Sequence, residues 1–242
     1  MAAKYKGIYI SHMRNEGDHE LEAIDEVVSI ARQAQIPAEI YHLKVSGQKN
    51  WNNLRAVIQK IEAARGEGLK ITADMYTYPA GATGLDGAMP PWVQEGGLEA
   101  WRKRLQDPAT RKRVKQEMLT SGKYDNLLRS AGTPDNVLLI GFKSDKLKPL
   151  SGKTLGEVAR MSHQSSEDTA MDLVVEDDSR VETVYFLMSE DNIKKQIVLP
   201  YLSFGADADP EGMDGVFLSS APIRARSATL PVCTPSTFAR TI

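Results

Sequence analysis

The sequence predicts an α/β fold built on a parallel sheet, and three observations carry that prediction. Two short runs, residues 7–12 (Gly-Ile-Tyr-Ile-Ser-His) and 38–44 (Ala-Glu-Ile-Tyr-His-Leu-Lys), are rich in β-branched and aromatic residues and read as strands. Each carries a histidine, His12 or His42, at or near its carboxyl end. Between them lies one segment of helical length, so strand, helix and parallel strand bring both histidines to the same end of a sheet. In a β/α barrel that end is the catalytic face. Two neutral imidazoles side by side there suit a zinc-type ion.

The elements follow in order. Leu21, Ile24, Val28 and Ala31 recur at helical spacing, which predicts an amphipathic helix over 18–35. Pro37 then permits exit into the next strand. Leu54, Val57, Ile58 and Ile61 make the apolar stripe of a second helix over about 52–65, with Gly66 and Gly68 as its stop. Residues 70–76 (Lys-Ile-Thr-Ala-Asp-Met-Tyr) read as a third strand. This βαβαβ rhythm is what argues for a parallel sheet.

The rhythm breaks at Tyr78-Pro79-Ala80-Gly81-Ala82-Thr83-Gly84. A polar insertion follows, with Pro90-Pro91-Trp92 and a charged helical stretch over 98–119. The run Trp101-Arg102-Lys103-Arg104 is read as a solvated helix face rather than an anion site. The aromatic-bearing loop before it is read as a lid rather than as packing, because long loops are often functional. Residues 137–142 (Val-Leu-Leu-Ile-Gly-Phe) form a continuous apolar run and read as a buried strand. Helices are expected over 154–161, 166–176 and 189–199, the second opened by the cap-like Ser165-Ser166-Glu167-Asp168. A last strand over 201–206 ends at Asp207, again a carboxylate at a strand's carboxyl end.

Size and composition bound the function. The chain has 242 residues, 41% hydrophobic and 26% charged, the length of one β/α barrel or two small domains. A formal net charge of -2 indicates no general attraction to nucleic acid or to an anionic membrane. No apolar run is long enough to span a bilayer. Residues 1–6 hold no apolar core of a signal peptide and reach a strand almost at once, an abrupt start for a native domain. The single cysteine, Cys233, has no intrachain partner, which fits a reducing compartment. A cytoplasmic location is the expectation.

The chemistry-bearing residues are weak singly and stronger together. His12 and His42 at equivalent strand ends, with Asp207, point to a metal-dependent hydrolase. His19, in the first turn of a helix, and His163, in a loop, are expected to face solvent. Asp74 is either a second carboxylate at the same face or a hydrogen-bond anchor for the loop after its strand. Cys233 has no histidine arranged around it as a nucleophile's base would be. There is no Walker-type phosphate loop and no dinucleotide fingerprint.

Four motifs resemble a known family in its order. They are Ile10-Ser11-His12-Met13-Arg14-Asn15-Glu16-Gly17, Tyr41-His42-Leu43-Lys44, residues 72–83 (Thr-Ala-Asp-Met-Tyr-Thr-Tyr-Pro-Ala-Gly-Ala-Thr), and Ser203-Phe204-Gly205-Ala206-Asp207. Together they resemble the N-acyl-D-amino-acid deacylases, the D-aminoacylases of the amidohydrolase superfamily. The resemblance runs over about 2–221. It implies a Zn2+-dependent β/α (TIM-type) barrel that hydrolyses the amide of a small-molecule N-acyl-D-amino acid. His12 matches the metal histidine after barrel strand five and His42 the one after strand six. Asp207 matches the strand-eight aspartate that handles the water's protons. Arg14, Lys44 and Tyr76, beside the ligands in sequence, are the candidates for the substrate carboxylate and the developing oxyanion.

The departures from the family pattern shape the expectation. The family's His-x-His motif and its metal-binding cysteine lie on earlier barrel strands, so the chain is expected to be the second half of a barrel, residues 1–222, with an insertion over about 84–135. A missing amino-terminal barrel half is the expected partner. Ala206 stands where relatives commonly have Ser or Thr. Residues 223–242 show no apolar period of either type. Relatives continue there with a segment like His-Pro-Arg-Ala-Phe-Gly-Asn-Phe, and plausible codons for it read one base later give the Ile-Arg-Ala-Arg-Ser-Ala-Thr-Leu found from Ile223 on. A frameshifted, disordered tail is therefore expected. Two other readings stand beside the deacylase: a non-catalytic barrel fragment that needs a partner half, and a cyclic amidohydrolase of the dihydroorotase or hydantoinase kind. The Met-Arg-Asn-Glu run after His12 favours the deacylase.

Overall fold

The computed structural model describes residues 2–120 and 124–207. Its strands are, in chain order, β1 (Tyr9–Ser11), β2 (Ala38–Ile40), β3 (Ile71–Met75), β4 (Ala80–Gly84), β5 (Val137–Gly141), β6 (Glu182–Phe186) and β7 (Leu202–Phe204). Its α-helices are α1 (Glu20–Ala34), α2 (Leu54–Gly66), α3 (Pro91–Gln94), α4 (Gly97–Leu105), α5 (Pro108–Leu119), α6 (Leu127–Ser130), α7 (Leu155–Ser162), α8 (Ser166–Asp177) and α9 (Glu190–Gln196). The chain divides into two units.

The first unit is built from Met1–Val45, Lys49–Tyr78 and the chain from Met188 on. Its sheet has the order β1-β2-β3-β7, and every neighbouring pair is parallel. The sequence shows why. In β3 the residues alternate, with Ile71, Ala73 and Met75 buried and Thr72 and Asp74 more exposed, the period of a strand with two different faces. The buried face packs on helices. Ile24, Val27, Val28 and Ala31 of α1 and Val57, Ile61 and Ala64 of α2 meet Ala38, Ile40, Ile71 and Ala73 in one core. Alanines on the strands let the helices approach closely. The register pairs Ser11 with Ile40 and Ile40 with Ala73, so the three strands end nearly level. The α/β class and the parallel sheet stand as expected.

The second unit comprises Ser46–Gln48 and Pro79–Leu187. Its sheet, β4-β6-β5, is antiparallel throughout. In it β5 and β6 pair with each other and with β4, not with the parallel sheet, so the second unit continues to Leu187, past the stretch read as an insertion at about 84–135. Residues 137–142, read as a buried strand, form β5 over Val137–Gly141, with Val137 and Leu139 buried and Leu138 and Ile140 half-buried. Within the second unit, the Trp92 indole of the loop read as a lid donates to Glu117 at 2.8 Å, under the Arg113 guanidinium, and Trp101 of α4 is buried. The basic run is tied down within the same unit. Arg102 pairs with Asp178, and Arg104 donates to the Val93 carbonyl at 2.9 Å. The cap read at Ser165 is present, accepting from the Asp168 amide, and on α7 Thr154 and Glu157 form a capping box.

Among the described residues no helix is long and apolar enough to cross a membrane. The tail 223–242, including Cys233, lies outside the described residues.

Candidate metal centre

Parallel pairing of β1 and β2 delivers His12 and His42 to the same sheet end. His12 follows β1 directly. His42 lies two residues past β2, and its backbone turns sharply there, at φ 38°. Left-handed backbone is uncommon outside glycine, though histidine tolerates it better than most residues. The conformation is held from the neighbouring strand, because the His42 backbone N–H donates to Asp74 Oδ1 at 2.6 Å. Asp74 thus acts as the anchor of a loop, but of the loop after β2 rather than its own. From α9, the buried Gln196 amide donates to the Leu43 carbonyl at 2.9 Å and supports the same loop.

The two rings meet. His12 Nδ1 lies 3.0 Å from His42 Nε2, with centroids 4.8 Å apart and planes at 67°. His12 is 63% exposed at its side chain, whereas His42 is largely buried. Four residues beyond His12, Glu16 folds back under both rings. One carboxylate oxygen is 2.9 Å from His42 Nδ1 and 3.6 Å from His12 Nδ1. Both oxygens accept from the Lys44 ammonium, at 2.8 and 2.9 Å. Burial opposes the charge on Glu16. The Lys44 ammonium overcomes it, with help from the His42 hydrogen bond and from His12, and holds the carboxyl down at about 2.

Donor atoms of His12, Glu16 and His42 all lie within 4.8 Å of one another. A tetrahedral zinc ion with bonds of about 2.1 Å sets its donors ~3.4 Å apart. The spacing of the two imidazole nitrogens is close to that. The residues therefore fit a metal of this type. Tyr76 closes one side: its ring centroid is 6.2 Å from that of His42, and the Lys44 ammonium sits 5.3 Å from it. Burial pushes the Tyr76 phenol well up, and the charges of Glu16 and Asp207 push it further.

Asp207 follows β7, which pairs with β3 so that Asp74 faces Ser203 and Met75 faces Phe204. It leaves the sheet at the same end as the histidines, exposed, with φ 50°. Of the residues singled out in the sequence, His12, His42, Lys44 and Tyr76 are thus brought together, and Asp207 lies near enough for its charge to act on Tyr76. Arg14 is not brought in. Its guanidinium points to α1, where it makes two hydrogen bonds to Glu26 at 2.6 and 2.9 Å. His19 and His163 are exposed, as expected. Sequence reasoning gave Glu16 no role, although a carboxylate one short loop after a metal-type histidine was a usable signal.

No family model matches the chain. A D-aminoacylase of Alcaligenes xylosoxydans xylosoxydans is 42% identical over 79 residues, 33% of this chain and 16% of that protein. An N-acyl-D-glutamate deacylase of the same organism is 34% identical over 83 residues, 34% of this chain and 17% of that protein. Among solved structures, the N-acyl-D-glutamate deacylase of Bordetella bronchiseptica, complexed with zinc and a phosphonate mimic of the tetrahedral intermediate, matches with a TM-score of 0.68. The identity is 21%, over 100% of this chain and 40% of that one. A D-aminoacylase described for its binuclear metal centre matches at a TM-score of 0.60 and 25% identity, over 85% of this chain and 33% of that one. The chain therefore spans well under half the length of the proteins it matches. By fold and sequence it is a relative of the amidohydrolases. Within them the proteins it matches are N-acyl-D-amino-acid deacylases.

Proposed function

We propose that this chain carries the His12–His42 portion of a zinc-dependent active site that hydrolyses N-acyl-D-amino acids, as the second half of a β/α barrel. The observation that carries this is the 3.0 Å approach of the two histidine nitrogens at the carboxyl end of a parallel sheet. When bound there, zinc polarises the scissile carbonyl and acidifies a water. His12 and His42 hold the ion. Asp207, exposed at the same sheet end, accepts the water's proton and passes it to the leaving nitrogen. Lys44 and Tyr76 flank His42 and meet the substrate carboxylate and the developing oxyanion. Arg14 joins them only by leaving Glu26.

A catalytic zinc site normally uses three protein ligands, so the two histidines alone bind the ion weakly. Titration of the purified chain with zinc against a chromophoric chelator tests the reading, with turnover of N-acetyl-D-amino acids followed in parallel. Weak zinc binding lost in His12→Ala and in His42→Ala, with little turnover, is the expected result. Zinc binding indifferent to both substitutions would falsify it. Hydrolysis of a cyclic amide such as a hydantoin in preference to the linear amides would redirect it to the cyclic amidohydrolases. The reading of a fragment that works only with a partner half draws on β1, a sheet edge with Ile8 and Ile10 exposed.

A further inference from the structure

We propose that Glu16 is a positioning residue of the metal site: its buried carboxylate takes the Nδ1 proton side of His42 and so turns the Nε2 lone pair toward the ion. The inference rests on the metal-site reading of His12 and His42 and adds to it the group that selects the competent form of one ligand.

One atom of His42 has an excess of partners. His42 Nδ1 lies 2.9 Å from a Glu16 oxygen and 2.5 Å from the Lys44 ammonium. A carboxylate only accepts and an ammonium only donates, so Nδ1 satisfies one of them at a time. If Nδ1 accepts from Lys44, the neutral ring carries its proton on Nε2. That proton then points at His12 Nδ1, 3.0 Å away, and the nitrogen facing the site has no lone pair to offer. If Nδ1 donates to Glu16, Nε2 is free. Only the second arrangement binds a metal. A ligating imidazole held by a carboxylate through its other nitrogen is a general device of metal sites, worth about 10–100-fold in affinity.

Glu16 is built for that task. It is 4% exposed, and Lys44 grips both of its oxygens, which keeps the carboxylate ionised and fixes its direction. The same grip argues against Glu16 as a direct ligand. A zinc ion on either oxygen would sit within a few ångströms of a buried ammonium, and like charges at that distance repel strongly in a low-dielectric site.

The test uses the full chain and two probes, zinc by chelator competition and cobalt(II) by its visible absorption. Glu16→Gln is expected to weaken zinc binding about 10–100-fold while leaving the cobalt band positions unchanged. Glu16→Asp should recover part of the loss. Because a lone buried ammonium can unfold the chain, Glu16→Gln with Lys44→Met is made alongside, and circular dichroism checks folding. The double variant should show the same weakened affinity. Affinity within twofold of the parent in the folded Glu16→Gln or double variant would overturn the proposal. So would a changed cobalt spectrum, which would make Glu16 a ligand. If His12→Ala and His42→Ala also bind zinc as the parent does, the metal-site reading itself has failed. If only the Glu16 variants do, the positioning role alone has.

Discussion

His42 shows how much of a site is decided by neighbours that a linear reading passes over. Its presence at a strand end was legible, and so was its pairing with His12, because parallel strands bring sequence-equivalent positions together. Its orientation was not. That depends on Asp74, reached across the sheet, and on Glu16, which folds back from another loop. Asp74→Ala removes a carboxylate that accepts a backbone N–H at a left-handed residue, a type of bond worth about 1.5–3 kcal/mol. The expected outcome is a loss of about 2 kcal/mol in urea unfolding together with weaker zinc binding. Unchanged zinc affinity would mean that His42 does not need this anchor. Acid stability offers a second reading at the same scale. Glu16 has its folded pKa lowered from 4.5 to about 2. Its contribution is therefore present above the unfolded value and lost as pH falls through the folded one. The metal-free chain should lose stability between about pH 4.5 and 2, and the Glu16→Gln with Lys44→Met variant should show a shallower decline over that window. Parallel acid denaturation curves for the two proteins would remove Glu16 from the account.

Elements were legible where their period is local. The stripe of Leu54, Val57 and Ile61 predicts α2, and Ile61 is fully buried against the sheet. Ile61→Ala should cost about 2–5 kcal/mol by differential scanning or chemical denaturation. A cost below ~1 kcal/mol would place Ile61 outside the core that sets stability. The sheet of the second unit was not legible as a sheet, and the reason is pairing at long range. Residues 182–186 (Glu-Thr-Val-Tyr-Phe) alternate exposed and buried as a strand should, yet their partners lie about a hundred residues back in β4 and about forty back in β5. Nothing in residues 137–142 alone says whether a partner strand runs parallel or antiparallel. Apolarity marked a strand there, while the sheet it joins is a tertiary choice. The helix cap of the same unit at Ser165 was readable because a cap needs only its own first turn.

At the scale of the molecule, the parallel sheet has two outer strands, β1 and β7, each paired on one side among the described residues. Parallel sheets are normally covered on both faces. Here one face packs on α1 and α2, while the other carries Ile10, Thr72 and Ser203 with substantial exposure. Ile8, Ile10 and Phe204 are 41%, 39% and 40% exposed. Unpaired backbone beside exposed apolar side chains is a template for another strand. On the proposed reading of the chain as part of a barrel, the occupant of this edge is the rest of that barrel. In its absence a second copy offers the same edge. The isolated chain is therefore expected to elute above its 26.7 kDa mass in size-exclusion chromatography with light scattering, increasingly so at higher concentration. A charge placed on the exposed side of the edge strand opposes such pairing. Ile10→Lys should shift the distribution toward monomer without lowering the melting temperature by more than a few degrees, because Ile10 lies outside the helix-packed core. A parent chain that stays monomeric at every concentration, or an Ile10→Lys variant that associates as the parent does, would show that this edge is not where the chain meets its partner.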